Sequence, residues 1–343
     1  MTVFDSNYSS RLTGRDDVVW IGASGAEFRA VGSLRVLRAH NQRIAQALLI
    51  EYRSKTYVDP SGARQTANKT DRELRRLLDG AGCSRIESVQ PSPHAALAFK
   101  QVLRGQLDSV PSSALICVDI SSLTRAHLVG LAQDLRSGEL SRFKESILFT
   151  YSSPSTYDPK GTSAGGWERT LVCPAAAGGR LGNVGRSVGV ILLGHEAERL
   201  AAALAEFEPS SGRLFVVSTP GVPEFGSMAE VHHRAFFSWW RNKDGASAPV
   251  ILDVTQTRQF AAEVAAACEN ALRSDSPVVF YPFGPKPLCL AGIRQALEMT
   301  PKRTWFVYPV PNSYSTAHTA GLRSCSLYDS DLTYLGSEAI PLS

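Results

Sequence analysis

Short apolar runs rich in valine, isoleucine and leucine alternate along the chain with longer segments whose apolar residues recur at helical spacing. Such runs predict buried strands, and their alternation with helices is typical of βα units that build a parallel sheet. The pattern predicts five strands in the first half, at 18–21, 47–50, 85–89, 114–118 and 147–150. It predicts five more in the second half, at 188–193, 213–217, 249–253, 277–280 and 305–307.

The segments between the strands match in the same order. In each half, strand one leads into a glycine and a helix that contains glutamate. Strand three is followed by the helical patterns 95–103 and 260–268, and strand four by 127–135 and 288–297. We therefore predict an α/β fold made of two tandem Rossmann-like units with parallel sheets, related by internal duplication.

A repeated motif supports duplication over a general likeness between two α/β domains. Tyr-x-x-Pro-x-x-Tyr occurs at 151–157 and again at 308–314, an offset of 157 positions (308 − 151), each time beyond an apolar run. We expect the first unit to span 1–157 and the second 187–343. The glycine-rich stretch 158–186 lacks periodicity and is expected to be a linker or a lid. The polar insertion 54–70 is expected to be an exposed loop.

Composition limits the class of protein. With 43% hydrophobic residues, 20% charged residues and a net charge of +4, the chain is typical of a soluble globular protein, and its charge argues against direct nucleic-acid binding. No stretch is apolar enough to span a membrane, and the first residues lack the features of a signal peptide. The six cysteines form no metal-binding spacing and are expected to be reduced thiols, so we expect a cytoplasmic protein without a metal.

Ligands of open α/β sheets bind beyond the carboxyl ends of the strands. After strand one, Ser24 and Glu27 lie in a small-residue turn that lets backbone amides approach an anion, or that serves only as a tight turn. The turn lacks the G-x-G-x-x-G fingerprint, and the chain lacks a phosphate-binding G-x-x-x-x-G-K-[ST] loop, so no cofactor is predicted. After strand four, an acid, three hydroxyls and a cation suit ribose or phosphate: Asp119, Ser121, Ser122, Thr124 and Arg125. The alternative is helix capping, with Ser121 or Ser122 as the N-cap and Asp119 at the helix dipole.

The second half offers its own candidates at the same edge. Phe283, Gly284 and Lys286 lie in a proline-stiffened turn that presents a cation to phosphate. Gly194 and Glu196 follow strand one, where the carboxylate is a ribose acceptor, a base or part of a charged first helical turn.

The repeated motif supplies a further set of ligand candidates. Its tyrosines stack on bases or supply hydroxyls, or else form rigid turns that pack in the fold. With the neighbouring polar residues, the candidates are Tyr151, Ser153, Tyr157, Tyr308, Asn312 and Tyr314.

The turn after strand four, Asp119-Ile-Ser-Ser-Leu-Thr-Arg125, resembles the strand-four region of CARF domains. Ser122 stands where that motif usually has glycine. CARF domains sense cyclic oligoadenylates in bacterial antiviral systems, and a fused pair of such units resembles the related SAVED sensors. The resemblance implies a nucleotide-like small molecule as the ligand.

Three functions remain open from the sequence. The first is a nucleotide-binding sensor or adaptor of a prokaryotic defence or signalling system, with its ligand in a crevice between the halves and an effector protein or a second copy as partner. The second is an enzyme that transfers a glycosyl or phosphoryl group on a nucleotide or sugar nucleotide, with Glu196 or Asp119 as base. The third is an assembly subunit with a vestigial pocket.

Overall fold

The fold comes from a computed structural model, which describes residues 18–25, 27–52, 60–92, 94–157, 163–174, 186–194, 197–218, 234–244, 246–314 and 319–340. The strands are β1 Val18–Ser24, β2 Ile44–Glu51, β3 Arg85–Val89, β4 Leu115–Asp119, β5 Ile147–Ser153, β6 Thr156–Tyr157, β7 Ser163–Pro174, β8 Val188–Leu193, β9 Ser211–Ser218, β10 Val250–Asp253, β11 Val278–Pro282, β12 Thr304–Tyr314, β13 Thr319–Ala320, β14 Ser324–Tyr328 and β15 Tyr334–Ala339. The α-helices are α1 Ala30–Ala39, α2 Pro60–Gly80, α3 Ala96–Leu107, α4 Arg125–Ser137, α5 Ala197–Glu206, α6 Arg234–Arg241, α7 Thr257–Arg273 and α8 Lys286–Met299, and Glu139–Ser146 is a 3-10 helix.

The chain divides into two compact units. Unit 1 consists of Met1–Thr162 together with Ser313–Ser343, and unit 2 is Ser163–Asn312. Unit 2 is therefore an insertion within unit 1. On the unit 1 side of the insertion, β6 and β13 form an antiparallel pair.

The sheet of unit 1 has the strand order β15-β14-β5-β4-β1-β2-β3. Its five strands β3, β2, β1, β4 and β5 are parallel neighbours, and β14 and β15 add an antiparallel hairpin to β5. In the sheet of unit 2 the order is β10-β9-β8-β11-β12-β7, and the strands from β10 to β12 are again parallel.

The predicted α/β class and all ten predicted strands are confirmed. Counted within each unit, both parallel sheets have the order 3-2-1-4-5, which is that of one Rossmann-like unit. The same order and the same sequence of helices in both units agree with the predicted duplication. Cys117 and Cys289, which the sequence marked as small core residues, are fully buried.

Each unit buries its own core. In unit 1 the apolar faces of α1 and α2 pack with the sheet around Trp20. Trp20 is fully buried, and its indole N–H donates to Ser33 Oγ at 3.1 Å, which satisfies its one polar atom. In unit 2, α5 and α6 pack in the same way around Trp240 and Tyr281. No helix in the described ranges has the length and apolar character needed to cross a membrane.

The expected boundary of the second unit, 187–343, is corrected at both ends. The C-terminal hairpin of β14 and β15 belongs to unit 1, because β14 hydrogen-bonds along β5 from Ser153 to Phe149. This pairing joins residues about 170 positions apart, and no local pattern in the sequence reports such a distance. At the other end, unit 2 begins at Ser163 rather than at 187, since β7 is a neighbour of β12.

Two segments expected to be irregular contain regular structure. Part of the glycine-rich linker or lid, 158–186, is the strand β7. A strand pairs through its backbone, so it can form without an alternating pattern of side chains. Residues 158–162 and 175–185 lie outside the described residues. The expected loop 54–70 includes the start of helix α2 at Pro60, and 53–59 lies outside the described residues. Apolar burial on α2 begins only at Leu74, so its first turns carry no hydrophobic periodicity.

Substitution of Leu327 tests whether the C-terminal hairpin is part of the unit 1 core. Leu327 lies on β14, is 1% exposed and packs in the cluster that contains Trp20. We expect Leu327→Ala to lower the free energy of unfolding by about 2–5 kcal/mol in a urea titration. Hydrogen exchange should quicken in β4 and β5 and stay unchanged in β8 and β11. The control is Leu97→Ala, at a leucine 67% exposed. Faster exchange in unit 2 alone would contradict this assignment.

Candidate functional site

The parallel order of unit 1 places its switch point between β1 and β4. Neighbouring connections leave these two strands in opposite directions along the sheet, which opens space beyond their carboxyl ends. Strand β1 ends at Ser24 and β4 at Asp119. The residues predicted from strands one and four of the first half therefore meet at one edge of the sheet.

Asp119 and Ser121 hold the turn after β4 against β5. Asp119 is fully buried; its Oδ1 accepts the backbone N–H of Ser121 at 2.8 Å, and its Oδ2 accepts the hydroxyl of Thr150 at 3.3 Å. Ser121, also fully buried, accepts the backbone N–H of Ser152 at 2.8 Å through its Oγ. Both side chains therefore position the turn from beneath.

The alternative of helix capping is present in this turn, at a residue that the sequence did not single out as the cap. Thr124 is the N-cap of α4, because its Oγ1 accepts the backbone N–H of His127 at 3.2 Å, and Arg125 is the first helical residue. Ser122 is half-buried, and its Oγ has no hydrogen-bond partner among the described residues. Ser122 is thus a hydroxyl at this edge that the fold itself does not use.

A buried relay connects the end of β2 with the start of α4. His127 Nε2 lies 3.0 Å from the carbonyl oxygen of Ser92, which can only accept, so Nε2 carries the proton and Nδ1 is an acceptor. Tyr52, the residue after β2, donates its hydroxyl to that Nδ1 at 2.6 Å. The Tyr52 oxygen in turn accepts the backbone N–H of Thr124 at 3.4 Å. The imidazole is stacked on Phe99 with ring centroids 4.5 Å apart.

Both members of this relay are uncharged at neutral pH, and burial stabilises that state. Desolvation lowers the pKa of His127 to about 4, and its hydrogen bond to the Ser92 carbonyl opposes only part of that shift. Desolvation also raises the pKa of Tyr52 far above its ordinary value, and the negative charge of Glu27 adds a smaller effect in the same direction.

A buried ion pair occupies the turn after β1. Arg29 donates to Oε2 of Glu27 from both Nε, at 3.1 Å, and Nη2, at 2.5 Å. Its Nη1 donates to the hydroxyl of Tyr151 at 3.4 Å, and its guanidinium lies 5.8 Å from the centroid of that ring. Arg29 is 7% exposed and Tyr151 4%, so the tyrosine ring packs on the arginine within the fold.

These contacts extend across the carboxyl ends of four strands. The pair Glu27–Arg29 follows β1, Tyr52 follows β2, Thr124 and His127 follow β4, and Tyr151 lies on β5. We call these residues the edge network: Glu27, Arg29, Tyr52, Thr124, His127 and Tyr151. It brings together three predicted residues and three that the sequence reasoning missed, namely Arg29, Tyr52 and His127.

Unit 2 repeats the arginine–tyrosine contact of the edge network. The guanidinium of Arg199 lies 4.5 Å from the ring centroid of Tyr308, and Arg199 donates to the carbonyl oxygen of Pro309 at 3.1 Å. Arg199 is 3% exposed and Tyr308 8%. Both arginines follow strand one of their unit. A position-by-position comparison of the two halves of the sequence would therefore have singled them out.

The turn after β11 differs from the turn after β4 in chemistry. Alignment of the two tyrosine motifs makes Phe149 of unit 1 the counterpart of Phe306 of unit 2. Phe149 pairs with Val118 on β4 and Phe306 pairs with Phe280 on β11, so Val118 and Phe280 are counterparts as well. On that alignment the counterparts of Asp119, Ser121 and Ser122 are Tyr281, Phe283 and Gly284. Polar residues that hold the turn in unit 1 are thus replaced by aromatic side chains and a glycine in unit 2.

At the switch point of unit 2, the described parts of the two turns are in close contact. Phe283 is 2% exposed within the apolar core, and its backbone N–H donates to the carbonyl oxygen of Leu192 at 3.0 Å. A Cβ on Gly194 would lie 2.4 Å from the Phe283 carbonyl oxygen, and one on Gly284 would lie 2.5 Å from Leu192 Cγ. Phe283, Gly284 and Gly194 therefore pack the two turns together.

The other predicted residues are placed as follows. Ser24 is buried at the end of β1, Ser153 is half-buried at the end of β5, and Lys286 is the half-buried first residue of α8. Glu196 lies outside the described residues, as do the side chains of Tyr157, Asn312 and Tyr314. The crevice expected between the halves stays a prediction.

A cavity of about 430 Å³ lies at the opposite, amino-terminal edge of the unit 1 sheet, beside the starts of β4 and β5. Its carboxylates include Glu145, Asp329 and Asp331. Asp329 Oδ1 accepts the backbone N–H groups of Asp331 and Thr333, at 2.9 and 2.8 Å, so it stabilises the turn before β15. The carboxyl edge, where ligands of such sheets bind, remains the better candidate.

Comparisons with known proteins add similarities but no family. Neither the known protein-family profiles nor the curated proteins include a match. A type III CRISPR defence DNA nuclease activated by cyclic oligoadenylate is similar in structure at 12% identity, with a TM-score of 0.42, over 94% of this chain and 68% of that chain. A short-chain dehydrogenase from Oenococcus oeni PSU-1 is similar at 9% identity, with a TM-score of 0.25, over 88% of this chain and 97% of that chain. Likenesses at this level assign no function.

The buried His127 predicts a pH dependence of stability. Since its pKa falls from 6.5 in the unfolded chain to about 4 in the fold, the unfolded chain binds the extra proton between these values. The free energy of unfolding should therefore be largest above pH 6.5 and fall as the pH is lowered towards 4, by about 3 kcal/mol in all. Urea titrations at several pH values should show a smaller slope in this window for His127→Gln. An equal slope in both proteins would contradict the neutral, buried imidazole.

Proposed function

We propose that this chain is a nucleotide-binding sensor or adaptor, whose ligand binds at the carboxyl edge of the unit 1 sheet. The observation that carries the proposal is the contrast between the two switch points. In unit 1 a network of polar and charged groups spans the switch point, whereas the described residues of the equivalent turns in unit 2 are the buried Phe283 and the closely packed Gly194 and Gly284.

The chemistry of this edge suits a phosphorylated ribose. The guanidinium of Arg29, which pairs with Glu27 in the ligand-free protein, has the planar donor fork that binds phosphate through paired hydrogen bonds. The first turn of α4 directs its backbone N–H groups towards the same edge, where a negative charge is favoured. The Ser122 hydroxyl is buried and has no hydrogen-bond partner among the described residues, so a ribose hydroxyl or a phosphate oxygen that reached it would satisfy it.

Binding is favoured over catalysis by the state of Asp119. An acid or base catalyst must reach the proton that it transfers. Asp119 is fully buried, and each of its carboxylate oxygens already accepts a hydrogen bond from the protein. The other candidate, Glu196, lies outside the described residues.

The edge network also supplies a route by which a bound ligand would act on the rest of unit 1. Arg29 contacts Tyr151 on β5, and Tyr151 pairs with Ser326 of β14. A ligand that shifts Arg29 would therefore act on the strand that carries the C-terminal hairpin. In a prokaryotic defence or signalling system, an effector protein or a second copy of the chain would respond to that change.

Isothermal titration with ATP, GTP, cyclic dinucleotides, cyclic oligonucleotides and adenosine tests the proposal. We expect a phosphorylated ligand to bind and adenosine to bind far more weakly. Arg29→Lys keeps the charge but loses the planar fork, so it should weaken binding by about tenfold or more. The matched control is Arg199→Lys, the same change at the equivalent arginine of unit 2, which should leave the affinity unchanged.

Two results would count against this function. The absence of binding for every nucleotide in the folded protein would remove the nucleotide ligand. Equal losses in Arg29→Lys and Arg199→Lys would remove the assignment to unit 1. Turnover of a bound nucleotide, followed by mass spectrometry, would instead indicate the enzyme that the sequence left as an alternative.

A further inference from the structure

The ion pair Glu27–Arg29 differs in its position from the ion pairs whose acids lie on helix α2. On α2, Glu73 pairs with Arg76 and Arg35, and Asp71 pairs with Arg75; these acids belong to a regular helix. Glu27 instead lies in the turn between β1 and α1, at the edge where the ligand is proposed to bind.

The two members of this pair are unequally buried. The side chain of Arg29 is 8% exposed, whereas that of Glu27 is 25% exposed. Arg29 is also fixed from a second side by the hydroxyl and ring of Tyr151. Glu27 is therefore the member of the pair that lies closer to water, and Arg29 is the member that is held from two sides.

A buried guanidinium needs a negative charge close to it. Removal of one partner from a buried ion pair leaves a charge without compensation, which is strongly destabilising. Glu27 meets this need in the ligand-free protein through Oε2, which accepts from both Nε and Nη2. A phosphate group would offer oxygens to the same two donors, and it binds such a fork in the same way as a carboxylate.

We propose that Glu27 is an internal substitute for a ligand phosphate. Its carboxylate and the phosphate compete for the Nε and Nη2 donors of Arg29, so the ion pair and the bound ligand exclude each other. This inference rests on the proposed function for the identity of the natural ligand, and on the contacts of Arg29 for the competition itself.

Such competition would set the selectivity of the site. An anion must bind Arg29 more strongly than a carboxylate that is tethered two residues away. Chloride and other weakly coordinating anions would fail this test, whereas a multiply charged phosphate ester would pass it. Glu27 also lies near Tyr52, so its displacement would alter the charge next to the relay to His127.

Inorganic pyrophosphate is the probe for this competition, because it carries the phosphate chemistry without base or ribose. Glu27→Gln keeps the shape of the side chain and removes its charge. We expect it to bind pyrophosphate about tenfold more tightly than the wild type, as measured by isothermal titration. The matched control is Glu87→Gln, since Glu87 also pairs with an arginine two residues away, Arg85, on the exposed strand β3. This control makes the same change in net charge and should leave the affinity at its wild-type value.

A second measurement locates the competition on Arg29 itself. In the NMR spectrum, the Nε–Hε signal of Arg29, assigned by its loss in Arg29→Lys, should move when pyrophosphate is added to Glu27→Gln. If Glu27→Gln does not fold, Glu27→Asp provides the test, because it keeps the charge but shortens its reach. Glu27→Asp should bind pyrophosphate more tightly than the wild type, because its shorter side chain competes less well for the donors of Arg29.

The outcomes separate this inference from the proposed function. Unchanged or weaker pyrophosphate binding in Glu27→Gln, or in Glu27→Asp if only that variant folds, overturns the inference even where nucleotides bind to the wild type. Tighter pyrophosphate binding with a shifted Arg29 signal supports it, even where no nucleotide binds and the proposed function fails. An increase that is the same in Glu87→Gln would show a general effect of net charge and would overturn the inference.

Discussion

In each unit, a buried arginine lies on the tyrosine of the fifth strand, and the carboxyl edge of the sheet is organised around this contact. Arg29 is paired with Tyr151 and Arg199 with Tyr308, and all four side chains are largely removed from water. A guanidinium in such a place must find aromatic, carbonyl or carboxylate partners. This requirement ties the turn after strand one to strand five, across the end of strand four.

The two units meet this requirement with different chemistry beside it. In unit 1 the neighbouring turn is held by Asp119 and Ser121, whose hydrogen bonds run to β5, and Glu27 supplies the counter-charge. In unit 2 the corresponding turn is held by the packing of Phe283 in the apolar core. The same order of strands therefore carries a polar turn in one unit and an apolar turn in the other. The buried contact is common to both units, and the residues that surround it differ.

The sequence predicted the fold more completely than it predicted the site. The central strands of the two parallel sheets follow from apolar runs, because a strand buried on both faces must be apolar along its whole length. The edge strands β3 and β10 are partly exposed, and they were found from shorter runs. The turn after β4 was also found, and its alternative role as a helix cap is real at Thr124. Arg29, Tyr52 and His127 were missed, since a single arginine, tyrosine or histidine carries no local pattern that distinguishes a buried partner from a surface residue.

By itself, the sequence determined the class of fold and the repetition of the unit, because both depend on local periodicity. It also determined the edge of the sheet at which polar residues gather, because that depends on which residues follow the strands. Only the tertiary structure decided three further points: that β14 and β15 return to complete unit 1, that Tyr151 and Tyr308 lie on arginines, and that Gly194 and Gly284 pack closely in unit 2. Each of these depends on contacts between residues far apart in the chain. Backbone pairing and the burial of charge select such contacts. The local sequence around one partner does not indicate which distant residue is the other.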